Sequence, residues 1–224
     1  MEIRVNGVRL YYEKTGDGPP LVMVHCNSMD HKIFHTAVKA LAQRFTVYCP
    51  DSRDHGKSEK VGTLHYEDMA ADMHAFITAL GLEKPAYYGF SVGGIIGLLL
   101  AAEWPELLSA LIVSGASLRP DSTKDLPLKF FRLWSHVDRS DKMRIMLREP
   151  DITDAQLRSI RVPTFVTAGE RDVIKEAHTR HIAETIPGAQ LKIFPKAGHT
   201  GYIMRSRKIA EYILSVLPAD EDRG

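Results

Sequence analysis

The chain has 224 residues, 44% of them apolar and 25% charged, with a formal net charge of +1 at pH 7. That mixture suits one globular domain with a core of ordinary size, and a near-neutral balance of scattered charges excludes a strong field toward nucleic acid or a membrane surface. No apolar run reaches bilayer-spanning length (the longest covers residues 95–102), and the opening Met1-Glu2-Ile3-Arg4-Val5 lacks a signal-peptide apolar region, so a cytoplasmic protein is expected.

Taken in order, residues 3–5 and 8–12 are short β-type runs around Asn6-Gly7, a dipeptide that favours positive φ and a tight hairpin. After a Gly/Pro loop at 16–20, residues 21–24 form a continuous apolar run, the pattern of a strand buried on both faces. Helical spacing over about 31–43 puts Ile33, Phe34, Val38 and Leu41 on one side, and residues 45–49 are the next strand. The spacing predicts a helix over 66–80 with Met69, Met73, Phe76, Ile77 and Leu80 on a stripe and Gly81 as its C-cap. Residues 85–90 are a strand, and 92–103 a helix apolar nearly all round, hence buried. Strands at 108–114, 164–168 and 190–194 alternate with helices at 176–184 and 206–217. The short basic group Arg205, Arg207 and Lys208 reads as a solvated helix start. Such alternation implies a mostly parallel sheet with helices on both faces.

Residues 117–160 break the rhythm. They hold no clear strand, and Phe130, Phe131, Leu133, Trp134 and Val137, then Met143, Ile145, Met146 and Leu147, suggest one or two amphipathic helices inserted between strands. The two cysteines, Cys26 and Cys49, sit at apolar strand-like runs and read as buried free thiols rather than a disulfide.

Chemistry concentrates at Gly89-Phe90-Ser91-Val92-Gly93, which follows a strand and opens a helix. A Ser on so sharp a turn projects its hydroxyl from the sheet edge, the glycines remove side chains that would collide, and the helix start offers free N–H groups to a developing anion. A Ser hydroxyl needs a base near neutral pKa. Of ten His, only His199 follows the last expected strand, flanked by Gly198 and Gly201. The imidazole in turn needs a carboxylate, and Asp172 lies just beyond the strand ending at Ala168, with Glu170 a close rival. The three candidates follow the C-terminal ends of three strands, the edge where open α/β sheets build their sites.

Two further segments, Val24-His25-Cys26-Asn27-Ser28 and Asp51-Ser52-Arg53-Asp54-His55-Gly56-Lys57-Ser58, stand in the order expected beside these three. Together the five segments make the sequence resemble the α/β-hydrolase superfamily over nearly the whole chain. The first looks like that family's His-Gly oxyanion loop, the second its Asp-x-Arg-Gly-His-Gly-x-Ser loop. The resemblance implies an α/β-hydrolase fold: a mostly parallel eight-stranded sheet with an antiparallel start, as one domain over 1–224 with a short helical cap at about 117–160. It implies a serine hydrolase in which Ser91 is the nucleophile, Asp172 the acid and His199 the base, with oxyanion donors at the backbone N–H groups of Asn27 and Val92 and no cofactor or metal. His25 and the 51–58 loop would be architectural. Cys26 and Asp54 stand where the family has Gly, which raises the expectation of conformational strain if residue 26 needs positive φ.

A short cap implies a small or open pocket and a small acyl or ester substrate, with Phe130, Phe131, Trp134, Cys26 and Phe90 as candidate pocket residues. The same triad also serves C–C bond hydrolysis, lactone opening and perhydrolysis in this superfamily, whereas dehalogenase and epoxide hydrolase relatives place Asp at the nucleophile position. A non-catalytic sensing or protein-binding scaffold has no need of all three residues. Gly89-Phe90-Ser91-Val92-Gly93-Gly94 lacks the G-x-G-x-x-G spacing of a dinucleotide site. His31 and His35 stand four apart, a metal-binding spacing, but without an evident third ligand they read as surface histidines.

Overall fold

Asn6 and Gly7 both take positive φ (47° and 78°), and the turn they make joins β1 (Glu2–Val5) to β2 (Val8–Thr15) with Val5 opposite Val8. The computed structural model describes residues 1–217. Beyond the hairpin, β3 (Pro20–Val24), β4 (Thr46–Pro50), β5 (Ala86–Phe90), β6 (Ala110–Ser114), β7 (Thr164–Arg171) and β8 (Gln190–Gly198) extend one eight-stranded sheet in the order β1-β2-β4-β3-β5-β6-β7-β8. β1 and β2 pair antiparallel, and every pairing from β4 to β8 is parallel. β3, at the centre, has β4 on one side and β5 on the other.

Both faces of the sheet are covered. Val22, Val24 and Tyr87 face a core that includes α2 (Tyr66–Ala79) and α3 (Val92–Glu103), with Ile182 of α7 (Glu176–Thr185). Their chain neighbours Leu21, Met23 and Tyr88 face the opposite core, with α1 (His35–Leu41) and α8 (Lys208–Val216). This two-residue alternation within apolar runs is the geometry of strands buried on both sides. Between β6 and β7, after a 3-10 turn at Pro120–Ser122, lie three α-helices rather than one or two: α4 (Asp125–Trp134), α5 (Asp141–Arg148) and α6 (Asp154–Ser159). α6 is the one the apolar pattern misses; a reciprocal Thr153/Gln156 capping box starts it, and Leu157 alone is fully buried.

Other expectations shift locally. The helix expected over 31–43 is a 3-10 turn at His31–Phe34, capped by Asp30, followed by α1. β7 and β8 run past Ala168 and Phe194 because Gly169 pairs with Phe194 and Arg171 with Gly198, a polar extension that hydrophobicity does not reveal. Cys26 and Cys49 are buried and free. Among the described residues, no helix is long and apolar enough to cross a membrane.

Candidate active site

The turn between β5 and α3 places Ser91 at φ 53°, ψ −109°, a backbone conformation that a non-glycine residue holds only under constraint. Its N–H is fixed to Ser114 O at 2.7 Å. The flanking glycines are required sterically: a Cβ on Gly89 would lie 2.1 Å from Gly93 O, and one on Gly93 would lie 2.1 Å from Val24 O. α3 therefore seats its first turn directly on the end of β3. The Gly93 N–H is taken by His25 O at 3.1 Å.

His199 follows the last residue of β8 and faces back across the sheet edge. Its Nδ1 lies 2.7 Å from Asp172 Oδ1, and Asp172 follows β7. The carboxylate is 3% exposed and also accepts N–H bonds from Ile174 (3.1 Å) and Gly169 (3.3 Å). Burial alone would raise its pKa; the hydrogen bond and charge of His199, with those two N–H groups, outweigh that and hold the carboxyl below its ordinary value. An ionised Asp172 keeps the proton of a neutral His199 on Nδ1, leaving the Nε2 lone pair free. Glu170, the rival, is exposed, and its carboxylate accepts from the Lys196 N–H.

Ser91 and His199 share one cavity of about 540 Å³, whose wall also includes Asn27, Val92 and Cys26. The Ser91 hydroxyl makes no hydrogen bond with the described residues, so Asp172–His199 is the pair already closed in this state. Helix α4 stands over the cavity and lends it Phe130, Phe131 and Trp134, with Phe130 (59%) and Trp134 (47%) also open to solvent at the rim. The volume lies within the ordinary small-molecule range, and α4 bridges the opening without filling it.

The sequence profile described as alpha/beta hydrolase fold matches residues 19–145 of the chain, more than half of it. The chain belongs to the α/β-hydrolase family. It is 26% identical to the AB hydrolase superfamily protein YisY of Bacillus subtilis, over 92% of this chain and 94% of that one. A thermophilic esterase from Thermogutta terrifontis superposes with a TM-score of 0.79 at 25% identity, covering 96% of each chain. The solved structure of Est816, described as an N-acyl homoserine lactone degrading enzyme, superposes with a TM-score of 0.82 at 24% identity over 97% of this chain and 100% of that one.

In this α/β-hydrolase the expected pocket residue Phe90 is not on the cavity wall. It is fully buried at the end of β5, and its ring packs against that of His199 with centroids 4.8 Å apart. Strand alternation turns it to the face opposite the cavity, where it supports the imidazole. Gly115, which sequence reasoning passed over, lies beneath the same ring: at φ 57°, a Cβ there would come within 2.7 Å of His199 Cε1 and 2.9 Å of Nδ1. The only signal was a glycine directly after a strand, on the edge that carries Ser91, Asp172 and His199.

The segments at 25–28 and 51–58 interlock below the site. His25 donates from Nδ1 to Cys26 O (2.7 Å) and accepts the Ser52 N–H at Nε2 (3.0 Å). Asn27 donates from its side chain to Lys142 O (2.9 Å), which ties the oxyanion-type loop to α5, and its Oδ1 lies 3.1 Å from His55 Nε2. Cys26 does not occupy the left-handed region, so its replacement of Gly carries no φ strain; Asp54 does, at 63°, with its carboxylate bound to Lys142 at 3.1 Å. Burial pushes the Cys26 thiol up to about 12, leaving it protonated and inert near neutral pH. His31 is not a surface histidine: it is 4% exposed and pairs through Nδ1 with the fully buried Asp51 at 2.8 Å. The loop collapses onto that carboxylate, and a Cβ at Gly56 would lie 2.1 Å from it.

This packing makes the fold acid-sensitive. Burial lowers the pKa of His25, and that of His55 from 6.5 to about 4, so both rings are neutral in the fold and take up protons on unfolding. For His55 the window runs from pH 6.5 to about 4, where the unfolded chain binds more protons and stability falls with pH by at most about 1.4 kcal/mol per unit; His25 adds a loss of the same sign below pH 6.5. The lowered Asp172 carboxyl adds a further loss only below its ordinary range. Urea unfolding at pH 7, 6 and 5 measures this; a flat stability across that range contradicts neutral burial of the two rings.

Proposed function

We propose that this α/β-hydrolase is a serine hydrolase that transfers an acyl group to water through Ser91, His199 and Asp172. One observation carries the reading: His199 is held by Asp172 at 2.7 Å while facing the same cavity as a serine locked in a left-handed turn. Nε2 of His199 would take the Ser91 proton as the oxygen attacks a carbonyl carbon. The oxyanion would lie at the backbone N–H groups of Val92, in the unpaired first turn of α3, and Asn27. His199 would then protonate the departing alcohol, and water would repeat the sequence on the acyl-enzyme. The chain would act as one domain, with the inserted helices over about 117–160 as its cap.

The cavity wall points to an uncharged, mostly apolar acyl group. Ile95, Leu128, Phe131, Met143, Met146 and Ile174 supply apolar surface, and the wall carries the carboxylates Asp138 and Glu149 but no Lys or Arg. A negatively charged acyl chain would meet like charge there. A lactone is an internal ester and would open by the same steps, which suits the fold likeness to a lactone-degrading enzyme.

The test is labelling with a fluorophosphonate probe, alongside turnover of 4-nitrophenyl esters from acetate to octanoate and of γ-butyrolactone. The expected result is one label, mapped to the peptide containing Ser91, and ester turnover that improves beyond acetate. A folded protein that neither labels nor turns over any of these compounds contradicts the proposal and favours a non-catalytic scaffold.

A further inference from the structure

A second cavity, of about 560 Å³, adjoins the first: Ser28 and Met29, directly after Asn27, form part of both walls. Its character is opposite. The catalytic cavity has two carboxylates and no Lys or Arg, whereas the second has Lys32, Lys142 and Arg205 with one carboxylate, Asp30. Two of these cations are partly balanced: Lys32 lies 3.6 Å from Asp30, and Lys142 3.1 Å from Asp54 behind it. Arg205 differs. Among the described residues no carboxylate lies within salt-bridge distance of it. It sits at φ 51°, in the turn that leads from the His199 loop to α8. His35 is a further polar side chain on the wall of the second cavity, while both ring nitrogens of His55 are engaged, with Arg53 O and Asn27 Oδ1.

An ester has two arms at its reacting carbonyl, and the two cavities meet at the loop beside that carbon. We infer that the second cavity binds an anionic group, a phosphate, sulfonate or carboxylate, carried on the alcohol arm of the substrate, with Arg205 as its main contact. The apolar acyl arm then fills the space under α4 while the charged arm passes over Ser28 and Met29. The assignment to the alcohol arm rests on the serine-hydrolase reading; anion binding itself does not. Lys142 borders both halves, since its carbonyl holds Asn27 while the residue, its ammonium paired with Asp54, lines the second cavity.

Two measurements test this. Calorimetric titration of phenyl phosphate into the Ser91→Ala protein reads binding without turnover, with inorganic phosphate as a competing free anion. Steady-state kinetics compare 4-acetoxybenzenesulfonate, whose leaving group is anionic, with neutral 4-nitrophenyl acetate. Arg205→Gln is expected to weaken phenyl phosphate and raise KM for the sulfonate ester about fivefold at low salt, less at high salt, with 4-nitrophenyl acetate changed less than about twofold. Arg205→Lys should restore most of the difference, and Arg205→Gly should lose it without loss of thermal stability. The inference is overturned if phenyl phosphate does not bind, if Arg205→Gln leaves its binding unchanged, or if KM rises equally for both esters. Phenyl phosphate binding that depends on Arg205, with neither ester turned over by the natural protein, keeps the anion site and removes the hydrolase reading instead.

Discussion

Ser91→Ala is expected to lower ester turnover by about four to six orders of magnitude while leaving the protein folded. The size of the effect follows from the chemistry: without the hydroxyl no acyl-enzyme forms, and only the oxyanion donors and substrate binding remain to assist direct attack by water. The fold should hardly change. The turn depends on Gly89, Gly93 and the Ser91 N–H bond to Ser114 O, all of which survive, and the lost hydroxyl holds no hydrogen bond to the described residues. Alanine keeps the Cβ and hence the same left-handed strain, so the stability change should stay within about 0.5 kcal/mol. Initial rates with 4-nitrophenyl butyrate, beside urea unfolding, measure both. A variant that stays folded and retains more than about one hundredth of the rate places the nucleophile elsewhere.

Asp172→Asn is expected to lower kcat by about four orders of magnitude, whereas Glu170→Gln should change it less than about twofold. An amide at 172 keeps the shape but can offer its NH2 to His199 Nδ1. The ring would then take the tautomer with its proton on Nε2, which cannot accept the Ser91 proton. The rival carboxylate is exposed and engaged with Lys196, so its loss should leave the imidazole untouched. The substitution also removes the charge that the His199 contact and two N–H groups hold ionised, and the rate should recover partly at high pH, where hydroxide assists. If Glu170→Gln abolishes turnover and Asp172→Asn does not, the acid has been misassigned.

Much of the site was legible because its rules are local. A glycine two residues either side of Ser91 is demanded by contacts within a few residues and with the adjoining strand, and a Ser, an Asp and a His each directly after a strand end share an edge in any parallel sheet. The family resemblance across five segments added the roles. Asp172 was separable from Glu170 only in three dimensions, because β7 continues to Arg171 in a polar stretch and its register with β8 decides which carboxylate faces His199. Phe90 illustrates the same limit: adjacency to Ser91 suggested a pocket residue, but alternation along β5 turns it behind the imidazole. His31 was misread because four-residue spacing says nothing of Asp51, twenty residues away, which buries it.

By itself the sequence determined the strand–helix alternation, the opening hairpin and the sharp turn at Ser91, since apolar period, turn chemistry and glycine spacing act over a few residues. Only the tertiary structure decided that Gly115 clears space for His199, that α4 spans an apolar cavity without filling it, and that a basic cavity meets it at Ser28 and Met29. Those features arise where side chains from distant segments converge, and convergence depends on sheet register and on the packing of loops against one another.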